Sequence, residues 1–133
     1  RGSISLYIRE DRALITGDAV PVPGEPPIYE DAAASRRSVK RLKAVYIVET
    51  LLSSWDGPRR GGEVGRTLSE SLAWMERVGD TVRRVANEGN GPESPEFGGR
   101  VLAELGIPPQ SINPLSIMTF NAEYNAAQQD GAL

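Results

Sequence analysis

The 133-residue chain contains no cysteine and no histidine. Without cysteine it can form no disulfide and present no thiolate nucleophile, and this composition is typical of a cytoplasmic protein. Without histidine it can build neither a Ser-His-Asp triad nor a histidine-ligated zinc site from its own residues. If the chain acts alone, both of these common chemistries are excluded.

Long apolar runs and an excess of positive charge are also absent. No segment reaches the roughly 18 apolar residues that a membrane span needs, so we expect no membrane partner. The formal net charge is −3, whereas a nucleic-acid-binding surface needs a basic excess, so we expect no nucleic-acid partner. The 39% of hydrophobic residues is enough to build the core of one domain.

The first 20 residues predict a β-hairpin that ends on an aspartate. Residues 3–9 alternate apolar and polar side chains, which is typical of a strand with one buried face. Residues 13–16 read Ala-Leu-Ile-Thr and predict a second strand, which ends at Gly17 and Asp18. Two strands so close in sequence are expected to pair antiparallel. The proline-rich segment 20–30 must then be a loop, and loops at strand ends often carry functional residues.

Helical patterns dominate the rest of the chain. Asp31 is the expected N-cap of a helix that continues to about Ala44, and residues 46–52 predict a short buried strand. Residues 63–87 predict a long helix, because apolar residues recur there every three or four positions. The members of this apolar stripe are Val64, Leu68, Leu72, Met75, Val78, Val82 and Val85. Two more helices are expected, at about 96–105 and from Asn113-Pro114 to about Ala127.

The order of elements predicts a mixed α/β (α+β) fold in which an antiparallel hairpin and one further strand precede a mostly helical C-terminal region. Three strands alone would leave open sheet edges, so the sheet resembles half of a layered structure. Four aromatic residues are spread over the later helices, and we interpret them as core residues. These are Trp74, Phe97, Phe120 and Tyr124.

The opening segment resembles the metallo-β-lactamase superfamily. In that family a metal-binding histidine lies in a His-(Ser/Thr)-x-Gly-(Ser/His) segment, and a hairpin then ends in Gly-Asp. Here Gly2 and Ser3 match the Gly and Ser, Arg1 matches the variable position, and Gly17-Asp18 matches the Gly-Asp. The resemblance implies that Asp18 bridges two metal ions, since one carboxylate can present an oxygen to each of two cations. The alternative is that Asp18 only caps the following turn.

Asp56 is the second candidate ligand, again through the resemblance. The family carries its last metal histidine in a loop after the next strand, and this chain reads Ser-Ser-Trp-Asp-Gly-Pro over residues 53–58. Asp56 lies near the position of that absent histidine, and carboxylates bind zinc, manganese or iron. The equally weighted alternative is an ordinary tight turn anchored by Trp55. A third alternative is a second metal site that is weak or lost.

The resemblance implies the C-terminal part of an αββα sandwich. Residues 1–58 would belong to the sandwich, and residues 59–133 would complete the same domain, form a pocket wall or make a dimer contact. The expected cofactor is a divalent metal, zinc with manganese or iron as alternatives, dinuclear in the intact protein. The expected activity is hydrolysis of a small ester, thioester, lactone or amide. We expect residues 1–133 alone to be inactive and to need an N-terminal portion of the same protein or a companion chain.

Two other interpretations stay open at this point. The scaffold could be a catalytically inactive binding or regulatory module, with the helix at 63–87 as its interface. Alternatively, the chain could be an unrelated small α+β domain whose hairpin matches by chance, in which case it would fold alone with a closed core. A homo-oligomer is compatible with each interpretation, and the substrate is a small molecule only in the first.

Overall fold

The described residues, 3–133 of a computed structural model, form a mixed α/β fold with a four-stranded sheet and four α-helices. Arg1 and Gly2, which carry part of the family resemblance, lie outside the described residues. The strands are β1 (Leu6–Ile8), β2 (Ala13–Gly17), β3 (Thr50–Ser53) and β4 (Arg59–Arg60). The helices are α1 (Ala32–Lys43), α2 (Gly62–Asn87), α3 (Phe97–Leu105) and α4 (Pro114–Gln129), with a 3₁₀ turn at Pro109–Ser111.

The strand order in the sheet is β1-β2-β3-β4. The predicted hairpin is confirmed, because β1 and β2 pair antiparallel with Leu6 opposite Ile15. Strands β2 and β3 pair parallel, with Leu14 opposite Leu51, and α1 makes the crossover between them. A parallel pair of this kind places the carboxyl ends of β2 and β3 at the same edge of the sheet.

The two faces of the sheet differ sharply. Tyr7, Leu14 and Leu51 share the face that the helices cover, and the last two are almost fully buried. The opposite face carries Leu6, Ile15 and Leu52 in one row across three strands, as strand alternation requires.

The apolar side of β1 is therefore not buried, contrary to what its alternation suggests. Ile4 is 80% exposed, Leu6 57% and Ile8 37%. Tyr7, which alternates with the aliphatic residues Ile4, Leu6 and Ile8, packs against the core instead. In the row across the sheet, Leu6 is exposed, whereas Ile15 and Leu52 are half-buried. We call the row Leu6, Ile15 and Leu52, with Ile8, the open sheet face.

Two hydrophobic clusters lie on the helical side, and α2 belongs to both. The predicted stripe on α2 is confirmed, with every member buried except Leu72, which is half-buried. The interpretation of the aromatic residues as core is also confirmed. Trp74, Phe97 and Phe120 are buried, and Tyr124 packs edge-on against Phe97 with ring centroids 6.4 Å apart.

The region between α1 and α2 departs most from the prediction. The expected strand at 46–52 is reduced to Thr50–Ser53, because Ile47 has a left-handed backbone (φ 57°) and the carbonyls of residues 46 and 47 accept hydrogen bonds from the Tyr7 hydroxyl. Strand β4 was not predicted. Its two arginines show no apolar alternation, and its pairing with β3 arises only in the folded sheet.

The helix boundaries follow their caps. The Asp31 carboxylate accepts the Ala34 N–H at 2.8 Å, which confirms it as the N-cap of α1. Asn113 and Ser116 form a reciprocal capping box at the start of α4, with Pro114 as the first helical residue. Among residues 3–133, no helix combines the length and apolar character that a membrane crossing requires.

Candidate functional site

Asp18 lies immediately after β2, at the edge where β2 and β3 both end. The backbone turns there because Gly17 adopts a left-handed conformation (φ 52°), which a glycine adopts without steric cost. The Gly17 carbonyl accepts the Ser54 N–H at 3.0 Å, so the segments that leave the two strands are joined. The side chain of Asp18 is exposed and accepts no hydrogen bond from the described residues.

Asp18 lines two neighbouring grooves. The first has a volume of about 460 Å³ and is bounded by the residues before β1, by the loop after Asp18 and by α1; we call it the α1 groove. The second is a cleft of about 50 Å³ between the proline-rich loop and the half-exposed indole of Trp55. An exposed carboxylate at the junction of two grooves is well placed to meet a bound small molecule.

Asp56 lies in the turn between β3 and β4, where its carboxylate already has partners. One oxygen accepts the backbone N–H of Gly57 at 2.8 Å, and the other accepts two N–H groups of the Arg59 guanidinium. The hydrogen bonds from Arg59 and Gly57 lower the pKa of the Asp56 carboxyl. Asp56 lines a third groove of about 300 Å³, beside the start of α2.

The two predicted ligands therefore differ in their fitness for a metal ion. Asp18 offers an exposed, unbonded carboxylate, whereas a cation at Asp56 would have to displace a guanidinium. Within residues 3–133, no group of three or more acidic side chains is arranged to hold a metal ion. Asp18 could supply one ligand of a larger set without breaking a contact, whereas a metal ion at Asp56 would compete with the Arg59 guanidinium. The roles of both residues stay predictions.

The loop after Asp18 is fastened to the helices at several points. The indole N–H of Trp74 on α2 donates to the Glu25 carbonyl at 2.9 Å. The Thr119 hydroxyl on α4 donates to the Pro27 carbonyl at 2.7 Å and accepts the Tyr29 N–H at 3.1 Å. Because these bonds are partly or fully buried, the wall of both Asp18 grooves is fixed to α2 and α4.

A buried ionic network extends this attachment. Glu123 on α4 is 3% exposed and accepts hydrogen bonds from the Tyr29 hydroxyl and from the Arg36 guanidinium on α1. Burial and the neighbouring Glu123 carboxylate raise the pKa of Tyr29 far above its usual value. Burial by itself would lower the pKa of Arg36, but Glu123 outweighs it and raises that pKa. Gly79 on α2 makes room for the network, since a Cβ there would lie 2.5 Å from Arg36 Nη2.

Sequence reasoning missed this network entirely. Tyr29 and Glu123 are 94 positions apart, and no local pattern links them. The one available signal was the position of Glu123 three residues after Phe120, on the buried side of α4. An acidic residue on an apolar stripe predicts a buried partner.

Comparison with protein-family models and with curated protein sequences gives no match to this chain.

Proposed function

We propose that this chain is part of a metal-dependent hydrolase with a metallo-β-lactamase-like αββα sandwich, and that it contributes Asp18 to the metal site. The observation that carries the proposal is the exposed Asp18 carboxylate at the shared carboxyl edge of β2 and β3. Ligands of α/β sheets bind outside the carboxyl ends of parallel strands. The antiparallel hairpin and the turn at Gly17 support the proposal, because the family resemblance implies a hairpin that ends in Gly-Asp.

The open sheet face supports the proposal that this chain is one part of a larger sandwich. Leu6, Ile15 and Leu52 in register, with Ile8 on the same face of β1, form a partly exposed apolar surface on the side of the sheet that faces away from the helices. Apolar sheet faces are stable when another layer covers them, and two sheets pack face to face about 10 Å apart. In the proposal, a second sheet from an N-terminal portion of the same protein or from a companion chain covers this face and brings the remaining ligands.

In the proposed reaction, the metal and the residues of the chain have different roles. The bound metal, zinc or alternatively manganese or iron, supplies Lewis-acid activation of water and of a carbonyl group. Asp18 holds one ligand position, and the fastened loop 20–30 keeps the walls beside it in place. The substrate class is a small ester, thioester, lactone or amide, which binds in the grooves that meet at Asp18.

Hydrolysis before and after metal removal tests the proposed function. The full-length protein is assayed with a panel of acyl esters and thioesters, then stripped with a chelator and reloaded with zinc or manganese. We expect activity that is lost on chelation, restored by metal, and reduced by at least about a hundredfold in Asp18→Ala. Asp11→Ala, an exposed aspartate in the same hairpin, is the matched control and should keep full activity. Activity that survives both the chelator and Asp18→Ala would contradict the proposal.

The pairing of Asp56 favours a second candidate function. The Asp56 carboxylate is engaged by Arg59 and Gly57, which a metal ion would have to displace, and this favours a scaffold that serves as a non-catalytic binding or regulatory module. Arg59→Gln would free the Asp56 carboxylate. If the metal content rises from one equivalent in the parent protein to two in Arg59→Gln, the Arg59 guanidinium blocks a second metal site in the parent protein. If neither the parent protein nor Arg59→Gln binds metal, the binding module is the better account.

A further inference from the structure

Helix α1 carries side-chain charges of one sign only. Its 12 residues include basic side chains and no acidic one, although the whole chain has a net charge of −3. Arg36 is bound to Glu123 on α4. The other basic side chains of α1 are exposed and make no hydrogen bond or ion pair within residues 3–133. We call them the basic face, and they are Arg37, Lys40, Arg41 and Lys43.

The basic face exceeds what α1 needs for its own stability. Basic side chains in the last turn complement the helix dipole, which accounts for Lys40, Arg41 and Lys43. Arg37 lies before that turn, three residues from Lys40 and four from Arg41, and like charges at these spacings repel one another. Arginines outside α1 form ion pairs at five places within the described residues. An anionic partner would relieve the repulsion that remains on the basic face.

An exposed aromatic residue follows the carboxyl end of α1. Tyr46 is 84% exposed and Ile47 is 44% exposed. The left-handed backbone of Ile47 (φ 57°) is unfavourable for a β-branched residue, and the Tyr7 hydroxyl donates to the Ile47 carbonyl at 2.7 Å. The sheet thus holds this segment while the Tyr46 ring stays in solvent. Because α1 leads from the carboxyl end of β2 to the amino end of β3, Tyr46 lies at the sheet edge opposite Asp18.

We propose that the basic face and Tyr46 bind a membrane surface that contains anionic lipids. Interfacial helices bind such surfaces through Lys and Arg side chains, which attract the headgroups, and tyrosine rings settle at the headgroup level. This binding is peripheral and needs no spanning helix. The inference does not depend on the proposed function, since the surface lies away from Asp18.

The charges elsewhere in the chain make other arrangements less favourable. Helices α2 and α3 carry both signs and the one acidic residue of α4, Glu123, is buried, so a second copy of the chain offers no matching acidic helix face. The acidic residues Glu10 and Asp11 lie in the turn between β1 and β2, at the same sheet edge as Tyr46. The helix face, rather than that turn, must therefore make the contact with anionic lipid.

Sedimentation of the intact protein with vesicles tests the inference. The vesicles contain phosphatidylcholine and phosphatidylserine in a two-to-one ratio, and vesicles of phosphatidylcholine alone are the control. The variants are Arg37→Gln and Tyr46→Ala. Arg66→Gln is the matched control, because Arg66 is also an exposed helical arginine without an ion pair in the described residues, but lies on α2. Binding is measured at about 0.15 M salt and again at about 1 M, where the screening length falls from about 8 Å to about 3 Å. Duplex DNA of random sequence is the competing polyanion.

We expect the phosphatidylserine vesicles to bind at least about tenfold more tightly than phosphatidylcholine alone, and high salt to remove this preference. One basic residue near an anionic surface contributes about fivefold in affinity, so Arg37→Gln should bind about fivefold more weakly. Arg66→Gln should change binding less than about twofold, and Tyr46→Ala should weaken it more than Arg66→Gln does.

Three results would overturn the inference: vesicles of both compositions bind alike or not at all, either Arg37→Gln or Tyr46→Ala behaves like Arg66→Gln, or DNA binds the protein more tightly than the vesicles do. The last result would assign the basic face to nucleic acid. Because none of these measurements involves a metal or turnover, failure of the hydrolase proposal and failure of this inference are separate results.

Discussion

The buried network around Glu123 allows one quantitative prediction about stability. Glu123→Gln keeps the shape of the side chain but leaves the Arg36 guanidinium without a counterion. Removing one partner of a buried ion pair costs about 3–5 kcal/mol, because the remaining charge is uncompensated. The Arg36 side chain is 21% exposed and can recruit water, so the cost should lie at or somewhat below the lower end of that range. We expect the free energy of unfolding to fall by about 2–3 kcal/mol, which lowers the Tm by roughly 10 °C in a chain of this length.

The assay is urea unfolding at neutral pH, followed by circular dichroism and by tryptophan fluorescence. The matched control is Glu49→Gln, which breaks the ion pair with Arg12; those side chains are 59% and 52% exposed. Exposed pairs contribute about 0–1 kcal/mol, so this variant should hardly differ from the parent chain. The argument is refuted if Glu123→Gln costs less than about 1 kcal/mol, or if the two variants lose equal stability.

Three further predictions concern the sheet, the alkaline limit of stability and the Asp56 turn. Leu14→Ala should cost about 3 kcal/mol in urea unfolding, whereas Leu6→Ala on the open sheet face should cost less than about 1 kcal/mol; equal costs would show that the faces are wrongly assigned. The pKa of Tyr29 is higher in the folded chain than in the unfolded chain, so its contribution to stability is complete below about pH 10 and is lost as the pH rises above that value. Tyr29→Phe should therefore be less sensitive to pH between about 10 and 12, measured by urea midpoints, and an unchanged pH profile would contradict this. Carbon-detected NMR should show the Asp56 carboxyl titrating below its ordinary range, and Arg59→Gln should raise that pKa; an unchanged value in the variant would argue against the ion pair.

Much of the fold could be predicted from local patterns. The hairpin, the caps at Asp31 and Asn113, and the buried stripe of α2 each depend on residues close together in sequence, where propensity and periodicity act directly. Strand β4 could not be predicted, because Arg59 and Arg60 form a strand only through pairing with β3. The exposed side of β1 was also unpredictable, since alternation shows that two faces differ but does not show which face the helices cover.

The candidate site could be predicted only in part. The sequence places Asp18 after a strand and a glycine, and that local position is what the structure has. The partner of Asp56 lies only three residues away, but a charged pair in a turn and a metal ligand have the same sequence pattern. The fastening of the Asp18 loop depends on Trp74 and Thr119, which are distant in sequence and meet the loop only after the helices pack.

Metal content measured by plasma mass spectrometry tests the central claim most directly. The intact protein is compared with its Asp18→Ala and Asp11→Ala variants after dialysis against metal-free buffer. The account predicts one to two equivalents of zinc, manganese or iron in the intact protein and in Asp11→Ala, with a loss of at least half in Asp18→Ala. Equal metal content in the three proteins, or none in any of them, would contradict the assignment of Asp18 as a metal ligand.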